Sequence, residues 1–136
     1  MLPPEPIVLK VPKNVHFALD KDFISKRSGA VLDRIAQVLK DNPNLVIELQ
    51  GHTDPRASDA YNLDLGKRRA ANTRKYLIKA GVDPARMTIR SFGESKRATQ
   101  GNKKLDYARD RRVEVLFKDI RDIEVIVQED DLQIEE

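Results

Sequence analysis

Cysteine is absent from the chain, and His16 and His52 are its only histidines. Without thiols there is no disulfide framework and no thiolate metal site. His52 stands two residues from Asp54, but no third ligand sits at metal-binding spacing, so no metal or other cofactor is expected. A nucleophilic triad would have to join Ser58 or Ser91 to His52 and an aspartate, and no nucleophile motif supports one. Ser91-Phe92-Gly93-Glu94 holds a single glycine, too few for a phosphate-cradling loop. Aromatic residues are scarce, four Phe and three Tyr, which leaves little surface for stacking nucleic-acid bases. No apolar run approaches the ~20 residues that cross a bilayer. The opening Met1-Leu2-Pro3-Pro4-Glu5-Pro6 has neither the basic start nor the apolar stretch of a signal peptide. Any export signal is therefore expected on sequence outside this chain.

Charge, by contrast, is plentiful: 35% of the 136 residues are Asp, Glu, Lys or Arg. The length suits one domain with a core of its own. The net charge of +3 conceals an asymmetry. Residues 119–136 carry eight acidic side chains and one basic, while 1–118 carry 24 basic and 14 acidic, a net +10. A basic body favours anionic partners such as nucleic acid, a membrane surface or an anionic polymer, or is simply a solvated surface.

The prolines at 3, 4, 6 and 12 predict a stiff lead-in over residues 1–13 that merges into a first strand. Ile7–Val11 and Asn14–Phe17 read as short strands. Leu32, Ile35, Ala36 and Leu39 recur at helical spacing within a helix expected over Ser25–Lys40, which Asp41-Asn42-Pro43 stops. Leu45, Ile47 and Leu49 alternate with Val46, Glu48 and Gln50, the pattern of a half-buried strand. A polar loop, 51–58, leads to a second helix, with Ser58 or Asp59 as cap and Ala70, Thr73, Leu77 and Ala80 as core stripe, ending at Gly81. A strand follows over Arg86–Phe92, then a polar loop to Gly101, a helical turn near Leu105–Asp110, and a strand through Val113, Val115 and Phe117. Ile123, Val125 and Val127 predict a last strand pairing near that one, ahead of an acidic tail, with 119–136 lying beyond the domain proper at 14–118. The order strand–helix–strand–helix–strand–strand predicts an α/β sandwich: a mixed β-sheet with two main helices packed on one face.

The loop after the Leu45–Gln50 strand sits at a strand's carboxyl end before a helix, where α/β folds place ligands. Asp54 lies in it. Asn62, Leu65 and Arg69, spaced three and four apart on the next helix, share one face. Asp54 and Arg69 can thus face each other across one cleft, a carboxylate for an ammonium and a guanidinium fork for a carboxylate. The alternative is that Asp54 caps a turn and Arg69 makes an ordinary surface ion pair.

Several separated blocks, in order and suitably spaced, resemble the OmpA-like peptidoglycan-binding domain family. They are Gly51-His52-Thr53-Asp54, Tyr61-Asn62-Leu63-Asp64-Leu65, Arg68-Arg69-Ala70, Tyr76 to Val82 with Arg86, Phe92-Gly93-Glu94, and Arg109-Asp110-Arg111-Arg112-Val113-Glu114. The likeness runs from about Val15 to Lys118. It implies non-covalent, non-enzymatic binding of peptidoglycan through the diaminopimelate of the stem peptide, held by Asp54 and Arg69. Thr53, Asn62, Leu65, Phe17 and Arg112 are implied as further contacts. The chain departs from the family pattern at Ala57, where glycine is usual, at Asp110, where asparagine is common, and at Ala18, where aspartate is common. The loop shape at Ala57 and the local charge at Asp110 are therefore expected to differ, and His52 is expected to anchor the loop by hydrogen bonds.

The implied setting is periplasmic, as the wall-tethering part of an outer-membrane or envelope protein. A membrane is expected only through parts beyond this chain, and a homodimer stays open. Two other readings stand beside it. One is a nucleic-acid or anionic-polymer module using Lys67, Arg68, Arg69, Arg74, Lys103, Lys104, Arg109, Arg111 and Arg112, though no nucleic-acid motif accompanies them. The other is a stator-like motor anchor of the same family.

Overall fold

Ser25 opens the first long helix of the computed structural model, which describes residues 7–118 and 123–128. Its hydroxyl accepts the Ser28 N–H at 3.1 Å, satisfying one of the free donors of the first turn. Helix α1 runs Lys26–Asp41 and buries Leu32, Ile35, Ala36 and Leu39, the stripe read from the sequence. Asn42 closes it by donating its side-chain amide to the Val38 carbonyl at 2.8 Å, just before Pro43.

The strands β1 (Ile7–Pro12), β2 (Asn14–His16), β3 (Val46–His52), β4 (Met87–Gly93), β5 (Arg112–Lys118) and β6 (Ile123–Gln128) form two sheets. The larger has the order β2-β5-β3-β4, with β3 and β4 parallel and both β2 and β3 antiparallel to β5. This is the expected mixed sheet. Leu45, Ile47, Leu49, Val113 and Val115 turn their side chains to the helices and are buried. On the other face Glu48 links to Gln50 and Lys118.

Helix α2 (Asp59–Lys79) is the crossover between the parallel strands β3 and β4. The Ser58 hydroxyl caps its start by accepting the Tyr61 N–H at 3.2 Å. Its end is a left-handed Gly81 at φ 104°. The Gly81 N–H donates to Ile78 and the Val82 N–H to Leu77, closing the last turn while both apolar side chains join the core. A single 3₁₀ turn, Pro84–Arg86, leads into β4, and α3 (Lys104–Asp110) precedes β5.

The last strand differs from expectation. Strand β6 pairs in parallel with β1, Ile7 opposite Ile123 and Pro12 opposite Gln128, in a separate two-stranded sheet. It cannot join β5, because β2 and β3 already occupy both edges of that strand. The proline lead-in at 1–6, the link at 119–122 and the acidic stretch 129–136 lie outside the described residues.

One close approach fixes where α2 sits. A Cβ built on Gly51 of β3 would lie 1.8 Å from the Gly66 carbonyl oxygen of α2, and one on Gly66 would lie 2.4 Å from Ser91 Oγ. Only glycine on both elements lets the helix ride this low over the carboxyl end of β3. Gly51→Ala is expected to lower unfolding free energy by ~3 kcal/mol, the upper end of overpacking costs, because the obstacle is backbone. A urea midpoint equal to that of the parent chain would contradict the tight seat.

Candidate functional site

Low seating of α2 brings its first three turns against the segment leaving β3. Between them and the 18–22 loop lies a cavity of about 520 Å³ lined by Leu19, Asp20, Thr53, Asp54, Arg56, Ala57, Ser58, Tyr61, Asn62, Leu65 and Arg69. The two candidate residues are thus walls of one space.

Arg69 is fully buried. Its Nε–H donates to the Lys21 carbonyl at 2.8 Å, Nη1 to His52 at 3.1 Å and Nη2 to Ala18 at 3.2 Å. The Phe17 ring backs the guanidinium, 5.3 Å from centroid to Cζ. A guanidinium has five N–H donors. Three are committed here, all to neutral carbonyls, and no ion pair joins Arg69 to a carboxylate among the described residues. Burial, and next the neighbouring Arg111 charge, pull its pKa down to about 10. At neutral pH it remains a buried cation, favoured at a distance by the Asp54 and Asp22 charges but with no carboxylate in contact among the described residues.

Asp54 is nearly buried too. Burial favours its neutral acid, but the Arg56 side-chain and backbone hydrogen bonds outweigh that, aided by the Arg56 and Arg111 charges. Its carboxyl is held below the ordinary range and stays ionised. Arg56 forks onto it, Nε–H to Oδ1 at 3.0 Å and Nη2–H to Oδ2 at 2.8 Å, while the Arg56 backbone N–H donates to Oδ1 at 3.0 Å. Asp54 therefore does cap a turn, and it faces the cavity as well. Arg69, in contrast to an exposed ion-pairing residue, is an interior donor.

Of the sequence-predicted residues, Thr53, Asn62 and Leu65 share the cavity wall with Asp54 and Arg69. The Thr53 hydroxyl is buried with no hydrogen-bond partner. The Asn62 amide is spent on the fold, donating to the Arg56 carbonyl at 2.9 Å and to Glu94 at 3.1 Å. Phe17 and Arg112 are not on the wall. Phe17 belongs to the core behind Arg69. Arg112 turns away, donating to the carbonyls of Lys96 and Asp110 and pairing with Glu114. Arg111 stands nearer the cavity instead, its Nη1 3.8 Å from Asp54 Oδ2 and its Nε–H donating to the Phe17 carbonyl. Arg111 closes α3 and Arg112 opens β5, so the two side chains leave different elements.

Sequence reasoning missed Arg56, Asp20 and Tyr61. Arg56 carries a signal in hindsight, because an N–H two residues after an aspartate suits an Asx turn. Asp20, in the left-handed region at φ 57°, accepts a hydrogen bond from the Tyr61 hydroxyl, 41 positions away. No local pattern announces that contact.

The expectations at 57, 110 and 52 resolve physically. Ala57 sits at φ 79°, a conformation that favours glycine, so the turn is kept at a cost. Asp110 is fully buried, pairs with Arg97 at 2.9 Å and accepts the Thr99 N–H at 3.0 Å, so its charge is neutralised away from the cavity. The His52 ring nitrogens have only a weak backbone contact at Lys96, outside ordinary hydrogen-bond geometry, so ring hydrogen bonds do little of the anchoring expected. The ring stacks on Phe92 at 5.3 Å, and the His52 carbonyl does the anchoring by accepting from Arg69.

The sequence model of the OmpA family matches residues 16–111. A peptidoglycan-associated lipoprotein of Pseudomonas putida is 36% identical over 111 residues, 82% of this chain and 66% of that protein. Outer membrane porin F of Pseudomonas fluorescens is 35% identical over 107 residues, 79% of this chain and 33% of the porin. Among solved structures, the peptidoglycan-associated lipoprotein from Burkholderia pseudomallei matches with TM-score 0.75 and 34% identity, covering 78% of this chain and 90% of that one. The C-terminal domain of Helicobacter pylori MotB matches with TM-score 0.74 over 80% of this chain and 87% of that one; at 24% identity this is a likeness of fold alone. The chain spans between half and two thirds of the length of the first three curated lipoproteins it matches.

Two outcomes follow. Ala57→Gly is expected to raise stability by about 0.5–1 kcal/mol, the left-handed penalty of ~1–2 kcal/mol less the backbone entropy of glycine; thermal unfolding reads it. Burial, with the Arg112 charge next, lowers the His52 pKa from 6.5 to about 4. The unfolded chain therefore binds this proton at a higher pH than the folded one. The stabilisation is complete above about pH 6.5 and falls as pH drops toward 4, by roughly 3 kcal/mol at ~1.4 kcal/mol per unit. His52→Phe should flatten the denaturation midpoint by that amount between pH 6.5 and 4.

Proposed function

The chain belongs to the OmpA family, and on that premise we propose that it binds peptidoglycan non-covalently, through the free zwitterionic end of a diaminopimelate in the stem peptide. The observation that carries this reading is that Asp54 and the buried Arg69, which has no carboxylate in contact among the described residues, line one cavity. The ligand carboxylate takes the two donors of Arg69 that the fold leaves unused. The ligand ammonium goes to Asp54. Leu65 and the stem of Tyr61 supply apolar walls for the methylene chain, and the buried Thr53 hydroxyl stands beside the two charged groups. No bond is made or broken, so the site needs no acid, base or metal. A chain bearing this domain would be held to the wall on the periplasmic side of the envelope, and the names of the lipoprotein relatives agree with that role.

The nucleic-acid reading loses support because most of its arginines serve the fold, although Arg109, Lys67, Lys103 and Lys104 stay exposed. Arg68 pairs with Asp22 and Asp64. Arg74 donates to the carbonyls of Met87 and Pro84. Arg69, Arg111 and Arg112 are buried.

Asp54→Ala is expected to weaken binding to purified diaminopimelate-type sacculi by ~2–4 kcal/mol, the cost of stranding one member of a desolvated pair. Arg69→Ala is expected to do the same, with circular dichroism checking the fold because three carbonyls lose their donor. Co-sedimentation with sacculi measures both. Binding retained in full by Asp54→Ala would remove the cavity as the wall site.

A further inference from the structure

We propose that Arg56 is an internal occupant of the Asp54 carboxylate, a tethered cation that must yield before the cavity accepts an ammonium, and that this exchange makes the site select zwitterions over simple amines. The inference rests on the reading of the cavity given above and adds the residue that governs its selectivity.

A carboxylate offers about four lone-pair positions to donors. Three of those on Asp54 are filled by Arg56 alone, through Nε–H, Nη2–H and the backbone N–H. Only one position is left for an incoming ammonium, and the guanidinium fork, itself a cation, opposes a second positive charge there. The side chains differ sharply in exposure: Arg56 is 45% exposed, Asp54 only 7%. The arginine can therefore leave, and the aspartate cannot.

In the pose that holds Asp54 the Arg56 guanidinium also lies 4.4 Å from the Tyr107 ring centroid, so withdrawal into solvent must loosen this cation–π contact too. The loop need not follow the side chain. The Asn62 amide holds the Arg56 carbonyl, and the Asp54 turn holds the Arg56 N–H.

The exchange replaces one cation by another, so Asp54 is never left buried without a partner. It also gives up a two-pronged charge-assisted pair for a single ammonium contact. A lone amine has nothing to offset that loss. A zwitterion does, because its carboxylate reaches the unused donors of the buried Arg69. Selectivity then comes from the competitor at Asp54 and the reward at Arg69 acting together. In population terms, the fraction of molecules with Arg56 withdrawn scales the apparent affinity.

Isothermal titration of the chain with meso-diaminopimelate and with cadaverine, which has the amines without the carboxylates, tests this. Arg56→Ala and Arg56→Gln are expected to bind diaminopimelate about fivefold to tenfold tighter, since the competing ion pair is gone, and to gain cadaverine binding that the parent lacks. Asp54→Ala should lose diaminopimelate. In the parent chain the Arg56 Nε–H resonance should shift as diaminopimelate saturates the site, a readout that needs no variant. Equal or weaker diaminopimelate binding by folded Arg56 variants, or an Nε–H resonance unmoved at saturation, would overturn the proposal while leaving the Asp54–Arg69 reading intact. Undiminished binding by Asp54→Ala would overturn both.

Discussion

A single buried guanidinium ties three parts of the chain together. Arg69 projects from α2 and donates to carbonyls at Ala18 and Lys21 in one loop and at His52 in β3. Taking a cation out of water is costly unless its donors are satisfied. Here the donors meet neutral carbonyls and an aromatic face instead of a carboxylate. The fold is held by the hydrogen bonds, while the charge is supported only at a distance, by Asp54 and Asp22. Under the proposed reading a ligand anion takes that charge, and one side chain serves both architecture and recognition.

The arrangement depends on α2 sitting low on the sheet. Gly51 and Gly66 permit it, since a side chain on either would meet backbone or the Ser91 hydroxyl. With the helix in that position, the exit from β3 is forced up beside Asn62 and Leu65. The strained φ of Ala57 and the Asp54 turn belong to the same bend. Site geometry and helix seating are therefore one constraint, expressed at two places.

The same economy governs the other arginines. Arg86 donates to Leu45 and Asn42, Arg111 to Phe17, and Arg112 to Asp110 and Lys96. Loops that lack a sheet or helix ladder still need partners for their carbonyls. In this chain arginine supplies many of them. Several arginines of the basic body are therefore internal wiring, so the net charge alone overstates what the surface offers to a polyanion.

Much was legible before any coordinates. The stripe Leu32–Leu39, the alternation of Leu45, Ile47 and Leu49, and the cap at Ser58 are local patterns, and local periodicity and capping chemistry act through neighbours in sequence. The pairing of Asp54 with Arg69 in one cavity was legible because a strand–loop–helix unit brings the loop and one helix face together. Tertiary structure decided the rest. It chose Arg111 over Arg112 beside Asp54, because one closes α3 and the other opens β5. It sent β6 to β1, because the edges of β5 were taken. It put Arg56 on Asp54 and Asp20 against Tyr61, contacts made by side chains of loops and of the first turn of α2. Sequence patterns carry the period of an element, but not which free donor in a crowded space reaches a given carboxylate first.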